Sequence, residues 1–309
     1  MKILMRPAAA QLNGNSPIFY LALTVALLLG GLPDATALPP RLNQPAEIAQ
    51  QDISAEEVDT TGLLPADIAL LRDSRFGWKH LQTEHFILHF DQKIFAAKVA
   101  RMGEQFYEAI SGDLPNLKDR VSPVRSHIFI FRQARDWQAV VASVPGLDPR
   151  VISFVRGQAM YLQEFGTGAE KFNLLAHEMT HLVFNRFLPV RLPLWLNEGL
   201  AEYYGEFAYR AARGLGQSKK SAFPPLRHWT PLAELLTTTS YPASAVENTR
   251  FYATSKYLTG YLLLKHPREK WDAFFDRLLA GEHAIQALLL TYGWADIAAM
   301  EKDFAKFLR

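Results

Sequence analysis

The chain has 309 residues, 49% of them hydrophobic and 21% charged, enough apolar material for one large core or for two lobes of a single catalytic unit. Its 33 Lys+Arg against 31 Asp+Glu leave a formal net charge of +2, too balanced to suggest a nucleic-acid partner. Cysteine is absent, which excludes disulfides, cysteine metal sites, a thiol nucleophile and lipoprotein anchoring through an N-terminal cysteine.

Lys2 and Arg6 precede an apolar run from Ile18 to Leu32, bracketed by Pro17 and Pro33, and Ala35-Thr36-Ala37 places small residues where a signal peptidase inspects them. Residues 1–37 therefore read as an export signal cleaved before Leu38, which predicts a periplasmic or secreted protein. The competing reading is an uncleaved membrane anchor over 18–32, although that run is shorter than the ~20 residues that span a bilayer comfortably. Residues 38–61 carry Pro39, Pro40, Pro45 and several glutamines with little periodicity, the pattern of a flexible leader. One domain is then expected over 62–309: a sheet-containing part (62–165), a helix pair (166–205), and a loop with a helical lobe (206–309).

Ordered structure is expected to begin near Leu64, with Pro65 opening a short helix toward Leu71. After Trp78, Phe86, Leu88 and Phe90 alternate with His85, Ile87 and His89, a strand pattern whose histidines would occupy a solvated face. Asp91 to about Ser111 reads as a helix striped by Phe95, Val99, Met102, Phe106 and Ile110. A strand over Val124–Phe131, a helix around Asp136–Ala142 and strand material over Val151–Gln163, broken at Gly157, complete the sheet-forming part.

The segment that follows carries the chemistry. Phe172, Leu175, Met179, Leu182 and Val183 recur at three- and four-residue spacings, the stripe of a helix that buries one side. His177 and His181 lie beside that stripe, four residues apart on one face, so both ring nitrogens can grip one metal ion with Glu178 standing beside it. Two histidines satisfied by ordinary hydrogen bonds are the bland alternative. Further on, Pro193 precedes a second helix, and from it Glu198 can supply a third ligand, leaving a fourth position open as catalysis requires. Two nitrogens and one oxygen favour Zn2+, one per chain, over cations that prefer oxygen shells. Glu202 shares a helix face with Glu198; it is either an orienter of a histidine or a solvated helix charge.

These residues, His177-Glu178-Met179-Thr180-His181 and Trp195-Leu196-Asn197-Glu198-Gly199-Leu200-Ala201-Glu202-Tyr203, resemble the gluzincin metallopeptidases, in particular the bacterial peptidase-MA-like families, and more distantly thermolysin. The motif-bearing resemblance covers about Tyr161 to Leu264. It implies that His177, His181 and Glu198 are zinc ligands, that Glu178 is the catalytic base for a zinc-bound water, and that Asn197 and Glu202 each orient one histidine. The spacing from His181 to Glu198 is shorter than in thermolysin, and no aminopeptidase-type Gly-x-Met-Glu-Asn segment is present. A downstream tyrosine stabilises the oxyanion in the gluzincin aminopeptidases, which by resemblance makes Tyr252 the first candidate for that role; a plain core aromatic is the alternative, and His228 and Tyr203 are weaker candidates. In the same families an edge strand holds the peptide, which would make Ala159, Tyr161 and Gln163 a substrate rail, unless they form an ordinary internal strand.

Beyond Tyr204, residues 211–220 are rich in glycine, lysine and small side chains, closed by Pro224 and Pro225, and read as a loop beside the cleft. Helices follow over Leu232–Leu236, Phe251–Leu264, Trp271–Leu279, His283–Leu290 and Ala295–Leu308. The expected fold is α+β: a small N-terminal sheet, the metal-binding helix pair and a C-terminal helical lobe, as in gluzincins. The expected function is zinc-dependent hydrolysis of a peptide or protein substrate, with a membrane contact only if the N-terminal segment is retained. Hydrolysis of a non-protein amide such as cell-wall material, or a catalytically idle zinc-stabilised binding module, are the competing classes; retention of Glu178 speaks against the last.

Overall fold

The computed structural model describes residues 48–114, 123–166, 169–188, 190–215 and 223–309. The predicted signal sequence, the alternative anchor over 18–32, residues 38–47 of the predicted leader and residues 216–222 of the predicted loop lie outside them. No helix among the described residues is long and apolar enough to cross a membrane.

Short runs of alternating apolar residues form one mixed sheet. Its strands are β1 (Gln51–Ile53), β2 (Lys79–Gln82), β3 (Phe86–Phe90), β4 (Ser126–Phe131), β5 (Ser153–Arg156) and β6 (Ala159–Gln163). They lie in the order β1-β2-β3-β4-β6-β5. The central pairs β3/β4 and β4/β6 are parallel, whereas β1/β2, β2/β3 and β5/β6 are antiparallel. Gly157, at φ +59°, takes the first position of the two-residue turn between β5 and β6, a conformation only glycine adopts without strain. This is the break that the sequence places there.

Parallel pairing needs crossovers, and these are helical. α1 (Pro65–Leu71) precedes the sheet's central strands, α2 (Lys93–Asp113) links β3 to β4, and α3 (Ala134–Ala142) lies between β4 and β5. The chain then becomes wholly helical: α4 (Ala169–Phe187), α5 (Leu194–Ala212), α6 (Leu232–Thr237), α7 (Ala245–Leu264), α8 (Arg268–Leu279), α9 (Ala284–Tyr292) and α10 (Ile297–Phe307). The α+β expectation therefore holds at the level of a six-stranded sheet followed by a helical lobe. α7 begins six residues before the apolar stretch that predicted it, because Ser244 caps it by accepting from the Glu247 N–H.

Both faces of the sheet are covered. Leu81, Phe86, Leu88, Ile128, Met160 and Leu162 meet side chains of α2, α4 and α5 in the main core. On the other face Phe129, Phe131, Phe154 and Tyr161 meet Trp137 of α3, with Leu70, Leu71, Phe76 and Trp78 packed against them. Each fully buried large apolar side chain contributes about 2–3 kcal/mol, so this second layer is a core in its own right.

That layer corrects three sequence expectations. Residues 51–53, assigned to the leader, are strand β1, paired with β2 from Gln51–Gln82 to Ile53–His80. His89 is fully buried rather than solvated, because the segment before β2 folds back over that face. His85 leaves the sheet and pairs with Glu104 of α2, Nδ1 to Oε2 2.6 Å, while stacking on Tyr107. The third correction concerns the proposed rail. Ala159, Tyr161 and Gln163 lie on β6, hydrogen-bonded to β4 on one side and β5 on the other, so no free edge remains there. Tyr161 is further bound through its hydroxyl to Asp67 and Arg156. The terminal strand is β5; strand order is set by pairing partners, which the sequence did not disclose.

Candidate metal centre

α4 and α5 meet where their sequences permit close approach. Phe172, Leu175, Met179, Leu182 and Val183 bury the predicted stripe of α4, which turns His177 and His181 toward α5. Pro193, at φ −55° and ψ 147°, caps α5, as its fixed φ and missing N–H allow at a helix start. A Cβ on Gly205 would stand only 3.0 Å from the backbone N and Cα of His177, so any side chain there would push α5 off the histidine helix. One and two turns earlier on the same face of α5 stand Glu202 and Glu198. Gly199 performs the same service toward α7, where a Cβ would collide with Thr259 and the Ser255 carbonyl.

The helix pair brings three ligand atoms together. His177 Nε2 and His181 Nε2 are 3.2 Å apart; Glu198 Oε2 lies 3.4 Å from the first and 3.6 Å from the second. In a tetrahedral site with bonds of ~2.0–2.1 Å, ligand atoms stand about 3.3 Å from one another. Glu198 Oε2 is also buried without a hydrogen-bond partner, and a buried carboxylate oxygen calls for a donor or a cation. His177, His181 and Glu198 could therefore hold a metal ion, and they are the one such group among the described residues.

Around them stand the groups that fix their geometry. His177 Nδ1 faces Glu202 Oε1 at 3.1 Å, so Glu202 is paired with a histidine and is not a solvated helix charge. Asn197 departs from expectation: its amide donates to Glu198 Oε1 at 3.2 Å rather than to a histidine. Two residues that sequence reasoning missed complete the surround. Tyr241, between α6 and α7, donates its hydroxyl to Glu198 Oε1 at 2.7 Å. Ser153, the first residue of β5, donates to Glu178 Oε1 at 3.2 Å. Neither carried a motif signal; Tyr241 sits before a proline in a loop, and Ser153 opens an ordinary strand.

Electrostatics separate the carboxylates by role. Burial disfavours a charge on His177, yet the facing carboxylates of Glu198 and Glu202 override it and lift its pKa to about 10. Burial likewise opposes ionisation of Glu198, but the facing imidazoles of His181 and His177 hold its carboxyl well below the usual range. Glu202 is pulled the same way, burial opposing and His177 prevailing. Glu178 moves in the opposite direction. Burial pushes its pKa up, and His177 and His181 only partly restrain it. A raised carboxyl beside a cation site suits a proton acceptor working near neutral pH.

Tyr252 comes to the site as well. Its ring centroid is 6.4 Å from that of His177 and 6.1 Å from that of Tyr241, stacked at 17°. Its hydroxyl is buried and makes no hydrogen bond. Burial and then the carboxylates of Glu198, Glu202 and Glu178 push this phenol well above its ordinary pKa, so it stays a donor. The other candidates do not join the group: Tyr203 packs on Tyr204 and Phe223, and His228 is exposed.

The chain matches no protein-family model, no curated protein and no solved structure. The functional reading rests on the residues themselves.

Proposed function

We propose that this chain is an exported zinc-dependent metallopeptidase of the gluzincin type, active in the periplasm or outside the cell. The observation that carries the proposal is the convergence of His177 Nε2, His181 Nε2 and Glu198 Oε2 within 3.2–3.6 Å of one another, beside a buried Glu178. The donor set suits zinc. When bound there, zinc would supply Lewis acidity, lowering the pKa of water toward about 7 and polarising a substrate carbonyl.

The protein's own groups divide the remaining work. Glu202 fixes the His177 tautomer by occupying Nδ1, so that Nε2 is free to ligate. Glu178 accepts the proton released as water adds to the amide carbon, and returns it to the nitrogen as the C–N bond breaks, giving an acid and an amine. Ser153 holds the Glu178 carboxylate in place during both transfers. The unspent Tyr252 hydroxyl donates to the oxygen that gains negative charge. An extended substrate would pair with β5, the terminal strand that carries Ser153, and not with β6.

The test is Glu178→Gln in the purified mature chain, assayed for metal and for cleavage of a peptide library. One zinc per chain should remain while turnover falls by roughly a thousandfold or more. Unchanged turnover would remove Glu178 as the base, and a wild-type chain that binds zinc but cleaves no peptide would overturn the peptidase assignment.

A further inference from the structure

We infer that Tyr241 is a positioning residue that makes Glu198 a one-oxygen ligand, engaging Oε1 through its hydroxyl and reserving Oε2 for the cation. The inference rests on the metal-binding reading above and goes beyond it, since neither motif nor resemblance points to this tyrosine.

A carboxylate offers two oxygens and about four lone-pair directions. Here they are divided unevenly. Oε1 receives the Tyr241 hydroxyl at 2.7 Å and the Asn197 amide at 3.2 Å, while Oε2 receives no hydrogen bond and faces both imidazoles. A hydroxyl donating to a charged carboxylate makes a short bond, roughly twice as strong as a neutral one. Glu198 is 1% exposed, so no bulk water competes for Oε1. Rotation of the carboxyl to offer both oxygens to one cation would break the Tyr241 bond in a buried setting, where an abandoned donor is costly.

The ring of Tyr241 is held independently of its hydroxyl. It stacks on Tyr252 at 6.1 Å and meets Phe251 edge-on at 6.2 Å. The two tyrosines are thus a pair with different assignments. Tyr241 has spent its proton on the ligand, and Tyr252 has not spent its own. Holding Glu198 to one oxygen keeps the coordination number low, which leaves room at the cation for both water and a substrate oxygen.

The experiment compares wild type, Tyr241→Phe and Asn197→Ala by Zn2+ affinity and by the visible spectrum of the Co2+-substituted protein. Tyr241→Phe removes one oxygen and keeps the stacked ring, and a thermal melt of the zinc-free form checks that the fold persists. Its Zn2+ dissociation constant should rise roughly 10- to 100-fold, and its Co2+ absorption should weaken as the freed Oε1 adds a ligand. Asn197→Ala should move both readouts the same way by less. Affinity within twofold of wild type, together with an unchanged Co2+ spectrum, overturns the role of Tyr241 and leaves the metal site standing. A wild-type chain that takes up neither ion overturns the metal reading itself and the inference with it.

Discussion

Two groups of histidines are buried in this molecule, one in the sheet and one between α4 and α5, and they differ in what faces them. In the sheet His80 Nδ1 lies 2.9 Å from His89 Nδ1, and His89 Nε2 lies 2.9 Å from His127 Nδ1. Trp78 and Phe129 close around His89. An imidazole is both donor and acceptor, so a row of them can satisfy itself without any charge. Burial lowers the pKa of all three, and that of His127 to about 4, with Asp59 and Asp67 pulling weakly the other way. Between the helices, His177 and His181 face Glu198 and Glu202, and His177 rises to about 10. The same side chain is a neutral spacer in one place, and in the other it faces acids that can hold it charged or share a metal ion with it. The facing carboxylates decide which.

The contrast breaks most easily at Glu198. Replacing it with Gln should cost roughly a thousandfold or more in Zn2+ affinity, whereas His89→Gln should leave zinc stoichiometry at one per chain. Equilibrium dialysis of both variants decides the matter; a loss of zinc in the His89 variant would mean that the sheet histidines take part in ligation.

A smaller effect sharpens the comparison through acid. Unfolded His127 takes up a proton near pH 6.5, while the folded residue resists to about 4. Below pH 6.5 the unfolded chain therefore binds more protons, so stability falls as pH drops toward 4, by about 3 kcal/mol at most. Urea unfolding of chelator-treated protein at pH 7.5 and 4.5 should show this loss, and His127→Gln should reduce it. An identical loss in the variant would assign acid sensitivity elsewhere. Smallest of the three is Gly205→Ala. Its new methyl group meets the His177 backbone, so we expect a loss of about 1–3 kcal/mol by overpacking and weaker zinc binding. A stability and an affinity both equal to wild type would show that α5 can yield without disturbing the ligands.

The helix pair was legible because its information is local. Periodicity placed His177 and His181 on one face, Pro193 marked the turn into the second helix, and the i, i+4 relation set Glu202 beneath Glu198. His89 was misread as solvated because alternation reveals that a strand has two faces, not whether both are covered. The cover comes from residues 58–78, a segment whose composition looked unstructured at its start. β6 was misassigned as an edge for a related reason: the hairpin through Gly157 was visible, but which of its strands joins β4 depends on long-range pairing. Tyr241 was invisible because it stands outside any helix or strand, and only the return of the chain between α6 and α7 carries it to Glu198.

The three side chains that could hold a cation, His177, His181 and Glu198, all come from one pair of consecutive helices, while Ser153, Tyr241 and Tyr252 arrive from a strand, a loop and a distant helix. On the proposed reading, chelation would be a property of a hairpin and turnover a property of the whole chain. If the proposal holds, fraying of the C-terminal helices would leave a species that keeps the three donors yet has lost the Tyr241 and Tyr252 hydroxyls beside them, so metal content alone would overstate how much of a preparation is active.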